Sequence, residues 1–184
     1  MLAVFTARPF HPQRGFTLLE LLAVIVLIAV LSGIVIGAGQ RASEAGRVAR
    51  ARAELAILAA ALENYRGIYG DYPQTDDGAQ LLQSLIGKRD PLNVIIGGRS
   101  LIVAARFATA ESHDPFTDPT AVLIDPWDHP YVYVYRVPAT LWRNPGFVLY
   151  SIGPDGRDSA TLLPGGIIDP APAENTDNIY ANLP

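Results

Sequence analysis

Residues 14–39 read RGFTLLELLAVIVLIAVLSGIVIGAG. From Leu21 to Ala38 eighteen successive residues carry no charge, and Ser32 alone among them has a polar side chain. Wound as a helix, that run spans about 27 Å, close to the hydrocarbon thickness of a bilayer. Arg8 and Arg14 precede it and Glu20 is the first acid of the chain. The positive-inside rule therefore predicts a cytoplasmic N-terminus, with residues 40–184 on the far side. A cleaved secretory signal has a shorter apolar region of about 7–15 residues, although IGAGQRA offers small residues for a cut. A plain signal anchor fits the length but gives no reason for Glu20. A carboxylate in an apolar span costs about 2.5–3.5 kcal/mol on insertion scales, a cost lessened near an end by snorkelling. Either Glu20 is a tolerated interfacial acid, or it awaits a positive partner.

The helical pattern continues through QRASEAGRVARARAELAILAAALENYRGIYGDYP. Val48, Leu55, Leu58, Leu62 and Tyr65 recur at spacings of three, four or seven and form one apolar stripe. Arg41, Arg47, Arg50 and Arg52, interleaved with Glu44 and Glu54, are expected on the opposite, solvated face. Gly67, Gly70 and Pro73 close the helix. Asp77-Gly78 starts a second, short helix with Leu81, Leu82 and Leu85 turned inward. Residues 87–120 are expected to be loop with one short helix. Tyr131, Tyr133 and Tyr135 alternate with Val132, Val134 and Arg136 in a period-two strand, and GFVLYSIGPDG supplies another strand and its turn. Two strands and a short third, laid against the amphipathic half of the long helix, make a compact α+β domain.

Charge is uneven. Residues 1–110 hold eleven Arg/Lys and eight Asp/Glu, whereas residues 111–184 hold three and ten. An acidic C-terminal third argues against a nucleic-acid partner, which requires basic clusters. Asp155, Asp158, Asp169, Glu174 and Asp177 fall within 23 residues, beside Asn175 and Asn178. Calcium takes six to eight oxygen ligands, which a Gly/Pro-rich acidic loop can supply, although the spacing is not that of an EF-hand. A solvated acidic loop is the plain alternative. The absence of cysteine excludes disulfides, zinc-thiolate sites and thiol catalysis. His11, His113 and His129 are far apart, and no nucleophile elbow, phosphate loop or zinc-protease motif occurs. Asp125 and Asp128 could pose as an acid pair, yet they flank Pro126-Trp127, where turn-forming roles are commoner. No enzymatic activity is expected.

The segment RGFTLLELL resembles the processing motif of type IV pilins and of the pseudopilins of type II secretion systems. GIYGDYPQTDDGAQLLQSL and LIDPWDHPY narrow the resemblance to the major pseudopilin, with Asp128-His129 in place of the usual Gly-Asn. Residues 87–120 are longer than that family leads one to expect, and Gly37 stands near where many members carry Pro. The resemblance covers residues 14–86 and 121–180. It implies a pilin-like fold, in which a long N-terminal helix packs on a small antiparallel sheet. The implied organisation is a leader at 1–15, an assembly and membrane segment at 16–39, and a periplasmic domain at 40–184.

The resemblance also implies that a prepilin peptidase cuts between Gly15 and Phe16 and methylates Phe16. Glu20 then becomes the fifth residue of the mature chain, and can meet a neighbouring chain's Phe16 ammonium during assembly. The partners implied are further copies in a filament, other pseudopilins and inner-membrane assembly components. In such pseudopilins a structural calcium is held by an acidic loop. Matched residue by residue, the side chains of Asp155, Asp177 and Asn178 and the backbone carbonyls of Ile152 and Arg157 are the implied ligands, with Asn175 able to replace Asn178. A type IV pilus subunit is the nearest alternative, disfavoured by the lack of a C-terminal cysteine pair. A membrane-anchored binding module is the alternative from another class, and it predicts an uncut leader.

Overall fold

The computed structural model describes residues 17–135, 146–163 and 166–181, and within these the side chains of 34–38 and of 167 lie outside the description. Two compact units partition the chain, residues 1–43 and residues 44–184. The first element, α1, is a helix from Leu18 to Tyr69 that continues as helix through Gly37, Gly39 and Gly67. In the unit of residues 1–43, every described side chain from Leu18 to Gly33 is exposed. Among the described residues no helix is long and apolar enough to cross a membrane. The apolar run expected to do so, 21–38, extends over side chains outside the description.

In the unit of residues 44–184 the stripe predicted on α1 is the core. Leu58, Leu62 and Tyr65 are fully buried and Leu55 nearly so, with Val48 packed at the margin. The second helix, α2 (Gly78–Leu85), begins at Asp77, whose carboxylate accepts hydrogen bonds from the backbone of Ala79 at 2.8 Å and Gln80 at 3.3 Å. Such a cap satisfies backbone donors that a helix start leaves unpaired. Leu81, Leu82 and Leu85 are buried in the same core.

The connection that follows holds two short 3-10 turns (Ala104–Arg106 and Ala110–Ser112) and the strand β1 (Ala108–Thr109), which pairs antiparallel with β2 (Leu123–Ile124). The main sheet has β4 (Phe147–Ser151) between β3 (Val132–Tyr135) and β7 (Ile179–Tyr180), all antiparallel. Its register sets Val132 opposite Tyr150, and Tyr150 opposite Tyr180. Every residue of β4 is buried. Phe147 and Leu149 face the α1 core with Tyr133, whereas Val148 and Tyr150 join Ile168 in a second cluster on the other face. A hairpin of β5 (Leu162–Leu163) and β6 (Ile167–Ile168) supplies that cover. The fold is the α+β, pilin-like one, a long helix with small antiparallel sheets.

Two acids depart from the expected solvated face. Glu54 is only 6% exposed: its carboxylate pairs with Arg50 at 2.7 Å and accepts the Tyr131 hydroxyl at 2.6 Å. Glu44 is half-buried and accepts the Trp127 indole N–H at 3.0 Å. Sequence periodicity alone does not find them, because their partners lie 77 and 83 residues away. The Leu58→Ala variant should lose about 3 kcal/mol of stability through transfer and cavity terms, read by chemical denaturation. A loss below about 1 kcal/mol would place Leu58 outside the core.

Candidate functional site

Three places on the chain carry the predicted functional residues. The first is the start of α1. Gly15 and Phe16 lie outside the described residues. Glu20 lies within them, and one of its two carboxylate oxygens is engaged with its own helix start. Its Oε2 accepts the Thr17 backbone N–H and the Thr17 hydroxyl, each at 3.0 Å, while Thr17 Oγ1 accepts the Glu20 N–H at 3.2 Å. This is a reciprocal capping box, Thr-x-x-Glu, which ties two unpaired helix-start donors to side chains. The spacing stands openly in FTLLE, and it adds a local role to the assembly role implied for Glu20.

The second place is the turn Asp125-Pro126-Trp127-Asp128-His129. Asp125 is 1% exposed, and its Oδ1 accepts the backbone N–H groups of Trp127 and His129, both at 2.9 Å. Its Oδ2 accepts the Ser151 hydroxyl at 2.5 Å, and Ser151 Oγ in turn accepts the Gly153 N–H at 3.1 Å. A carboxylate with three donors is satisfied, and the turn-forming role expected of Asp125 is the one its contacts show. Asp128 is exposed with φ 68°, a left-handed conformation that favours glycine and costs other residues about 1–2 kcal/mol. His129 Nδ1 donates to the Gly153 carbonyl at 3.0 Å, since a carbonyl oxygen can only accept. The same ring abuts Gly156, where a Cβ would come within 2.7 Å of Nε2. The turn therefore braces both α1, through Trp127 and Tyr131, and the start of the acidic loop. Burial beside the Glu54 carboxylate pushes the Tyr131 hydroxyl pKa up, so this pin stays protonated.

The third place is the acidic loop. Ile152 is half-buried behind β4, and Asp155 and Arg157 are exposed in and just after the turn at 153–156. Asp177 approaches from the other limb, its Oδ2 accepting the Asp155 N–H at 3.1 Å. Gly153, at φ 72°, permits that approach, because a Cβ there would sit 2.6 Å from the Asp177 carbonyl oxygen. Asp155 Oδ1 accepts the Arg157 N–H at 2.8 Å. Asn178 faces another group: its Nδ2 lies 3.3 Å from Asn175 Oδ1, 3.4 Å from the Tyr180 hydroxyl and 3.5 Å from Asp158 Oδ1.

Asn175, the suggested substitute ligand, also staples the loop. It is 4% exposed, accepts from Ser159 N–H at 3.0 Å and donates to the Asp169 carbonyl at 2.6 Å. Asp158, absent from the implied set, accepts the Tyr150 hydroxyl at 2.6 Å. Among the described residues no group of three or more Asp, Glu or His side chains converges as a metal centre. One feature does fit a hard cation. Asn178 Oδ1 is buried without a hydrogen-bond partner, an arrangement that costs about 1–3 kcal/mol unless something occupies the acceptor.

Residues 10–36 match the prokaryotic N-terminal methylation motif. The chain is 29% identical over 167 residues to the type II secretion system core protein G of Pseudomonas aeruginosa, covering 90% of this chain and 96% of that one. It is 30% identical over 154 residues to the protein of that name from Escherichia coli, covering 82% and 88%, and 31% identical over 154 residues to that of Xanthomonas campestris, covering 84% and 83%. The chain belongs to the type II secretion system core protein G family. It is a pseudopilin subunit for type II secretion. No solved structure matches it. For a pseudopilin domain held by these contacts, the Asp125→Ala variant should be destabilised by about 2–4 kcal/mol, because it orphans the buried Ser151 hydroxyl and two backbone donors. Thermal denaturation reads this, and an unchanged melting temperature would remove Asp125 from the framework.

Proposed function

We propose that the chain is a structural, non-catalytic subunit that polymerises through its N-terminal helix into a periplasmic filament after processing by a prepilin peptidase. Residues 1–15 are the leader, and Phe16 becomes the methylated N-terminus. The inner membrane holds 16–39, with the N-terminus cytoplasmic before cleavage and residues 40–184 periplasmic. Further copies, other pseudopilins and inner-membrane assembly components are its partners. The observation that carries this reading is the capping box. It fixes the Glu20 carboxylate in the first turn of α1, where the helix macrodipole favours negative charge. A carboxylate has about four acceptor sites, so Oε1 can still receive a neighbouring Phe16 ammonium while Oε2 serves Thr17. In low dielectric such a pair is strong when both charges are present and costly when one is missing, which makes it a register device for assembly.

Glu20→Ala and Glu20→Gln separate the two roles. Glutamine keeps the capping acceptor but carries no charge. Both variants should fail to cross-link into the ladder that the parent chain gives, and intact mass should show the parent lacking residues 1–15 and carrying one methyl. Normal ladders from Glu20→Gln would reduce Glu20 to a helix cap, and an uncut chain would favour a membrane anchor.

We further propose a structural calcium in the acidic loop. Asp155 and Asp177 supply carboxylate oxygens, Asn178 its orphaned amide oxygen, and Ile152 and Arg157 backbone carbonyls, an all-oxygen donor set suited to that cation. Bound calcium would neutralise the two carboxylates and lock the 153–157 turn to the 177–178 limb. Because a ligand that binds only the folded state stabilises it, millimolar calcium should raise the melting temperature of a fragment of residues 40–184. Asp155→Ala should abolish the shift, and no shift in the unmutated fragment would discard the site.

A further inference from the structure

One half-buried imidazole holds both ends of the acidic turn. His129 Nδ1 donates to the Gly153 carbonyl at 3.0 Å. The other edge of the same ring lies against Gly156, where an added Cβ would fall 2.7 Å from Nε2 and 2.9 Å from Cε1. Gly153 and Gly156 are the first and last residues of the turn 153–156, and Asp155 is its third. Both glycines are left-handed, at φ 72° and 66°.

The start of the turn is fixed from a second side. The Gly153 N–H reaches Ser151 Oγ at 3.1 Å, and Ser151 is itself bonded to Asp125. In a trans peptide the N–H and the C=O point in opposite directions. Anchoring the Gly153 N–H on Ser151 therefore turns the Ile152 carbonyl away from Ser151, and anchoring the Gly153 carbonyl on His129 fixes the next peptide plane. The ring has a firm post of its own. The His129 N–H reaches Asp125 Oδ1 at 2.9 Å, and the His129 carbonyl accepts the Asp125 N–H at 2.8 Å. The Asp128 N–H closes on the Asp125 carbonyl at 3.1 Å, and Asp125 is buried.

These contacts bear on two of the calcium ligands proposed above. The Asp155 N–H lies 3.1 Å from Asp177 Oδ2, and a Cβ on Gly153 would fall 2.7 Å from that same oxygen. The turn thus brings Asp155 up to Asp177, two acids whose like charges resist the approach. A turn with two glycines also gives up much backbone freedom when it is ordered. A brace that offsets both effects beforehand leaves less to be spent when a cation binds.

We propose that His129 is the positioning residue of the cation loop. By holding Gly153 and Gly156 it presets the turn that presents Asp155 and the Ile152 carbonyl, and so sets the loop's affinity for calcium. The proposal rests on the calcium reading above and assigns a residue that is not itself a ligand.

The test uses the full-length chain in detergent micelles. Calcium chloride is titrated in by calorimetry, and amide exchange at 153–157 is followed without added calcium. His129→Ala should raise the calcium Kd about tenfold or more, the scale on which partners of metal ligands act, and should speed exchange at 153–157. His129→Asn should restore most of the affinity, because an asparagine Nδ2 donates from nearly the place of the imidazole Nδ1. Leu58→Ala, a core variant on α1, should leave the Kd unchanged wherever the chain is folded, which separates positioning from general stability. A parent-like Kd in His129→Ala overturns the proposal and leaves the calcium site standing. Equal weakening by Leu58→Ala also overturns it, since affinity would then follow stability. A parent chain that binds no calcium removes the calcium reading and this proposal with it.

Discussion

Burying the Glu54 carboxylate between Leu55 and the sheet would cost several kcal/mol if it stood alone. Arg50 one turn earlier and the Tyr131 hydroxyl from the strand entry make it tolerable. Those two contacts dictate much else. Tyr131 must sit where the chain turns into β3, so Asp125 must hold Trp127 and His129 in one tight turn, and Ser151 at the end of β4 must supply the remaining donor. The apolar stripe on α1 provides the bulk of the burial. The polar pins decide which rotation of the helix and which register of the sheet are compatible with it, since a shift by one residue strands a charge in the core.

The helix, its stripe and the start of α2 were legible because each is local: spacing sets the stripe, and Asp-Gly marks the cap. The strand at 132–135 was legible from its alternation. The roles of Glu44 and Glu54 were not, since a charged residue on a helix looks the same whether its partner is water or a hydroxyl 77 residues away. Nor was the organisation of 87–120, where an expected short helix is two single 3-10 turns and a two-residue strand. Short elements of that kind are held by long-range backbone contacts, such as Leu101 to Leu85 at 2.8 Å, rather than by their own propensity.

The candidate site shows the same division. Thr17 and Glu20 are three apart, so their capping box is written in the sequence. The acidic loop is different. Its members were countable, but composition did not say that Asn175 would be consumed in stapling Ser159 to Asp169, or that Asp158 would face Tyr150. Asp128 falls between these cases. The sequence marks it as the residue standing where relatives of the resembling type have glycine, and the left-handed φ of 68° gives the reason a glycine suits the position.

The main sheet carries a consequence for how copies of such a chain can meet. Its central strand is paired on both sides, and among the described residues its flanking strands are four and two residues long. Within those residues, so short an unpaired ladder is a poor template for a neighbour's strand. Along these described strands, copies brought close together are guarded against edge-to-edge pairing.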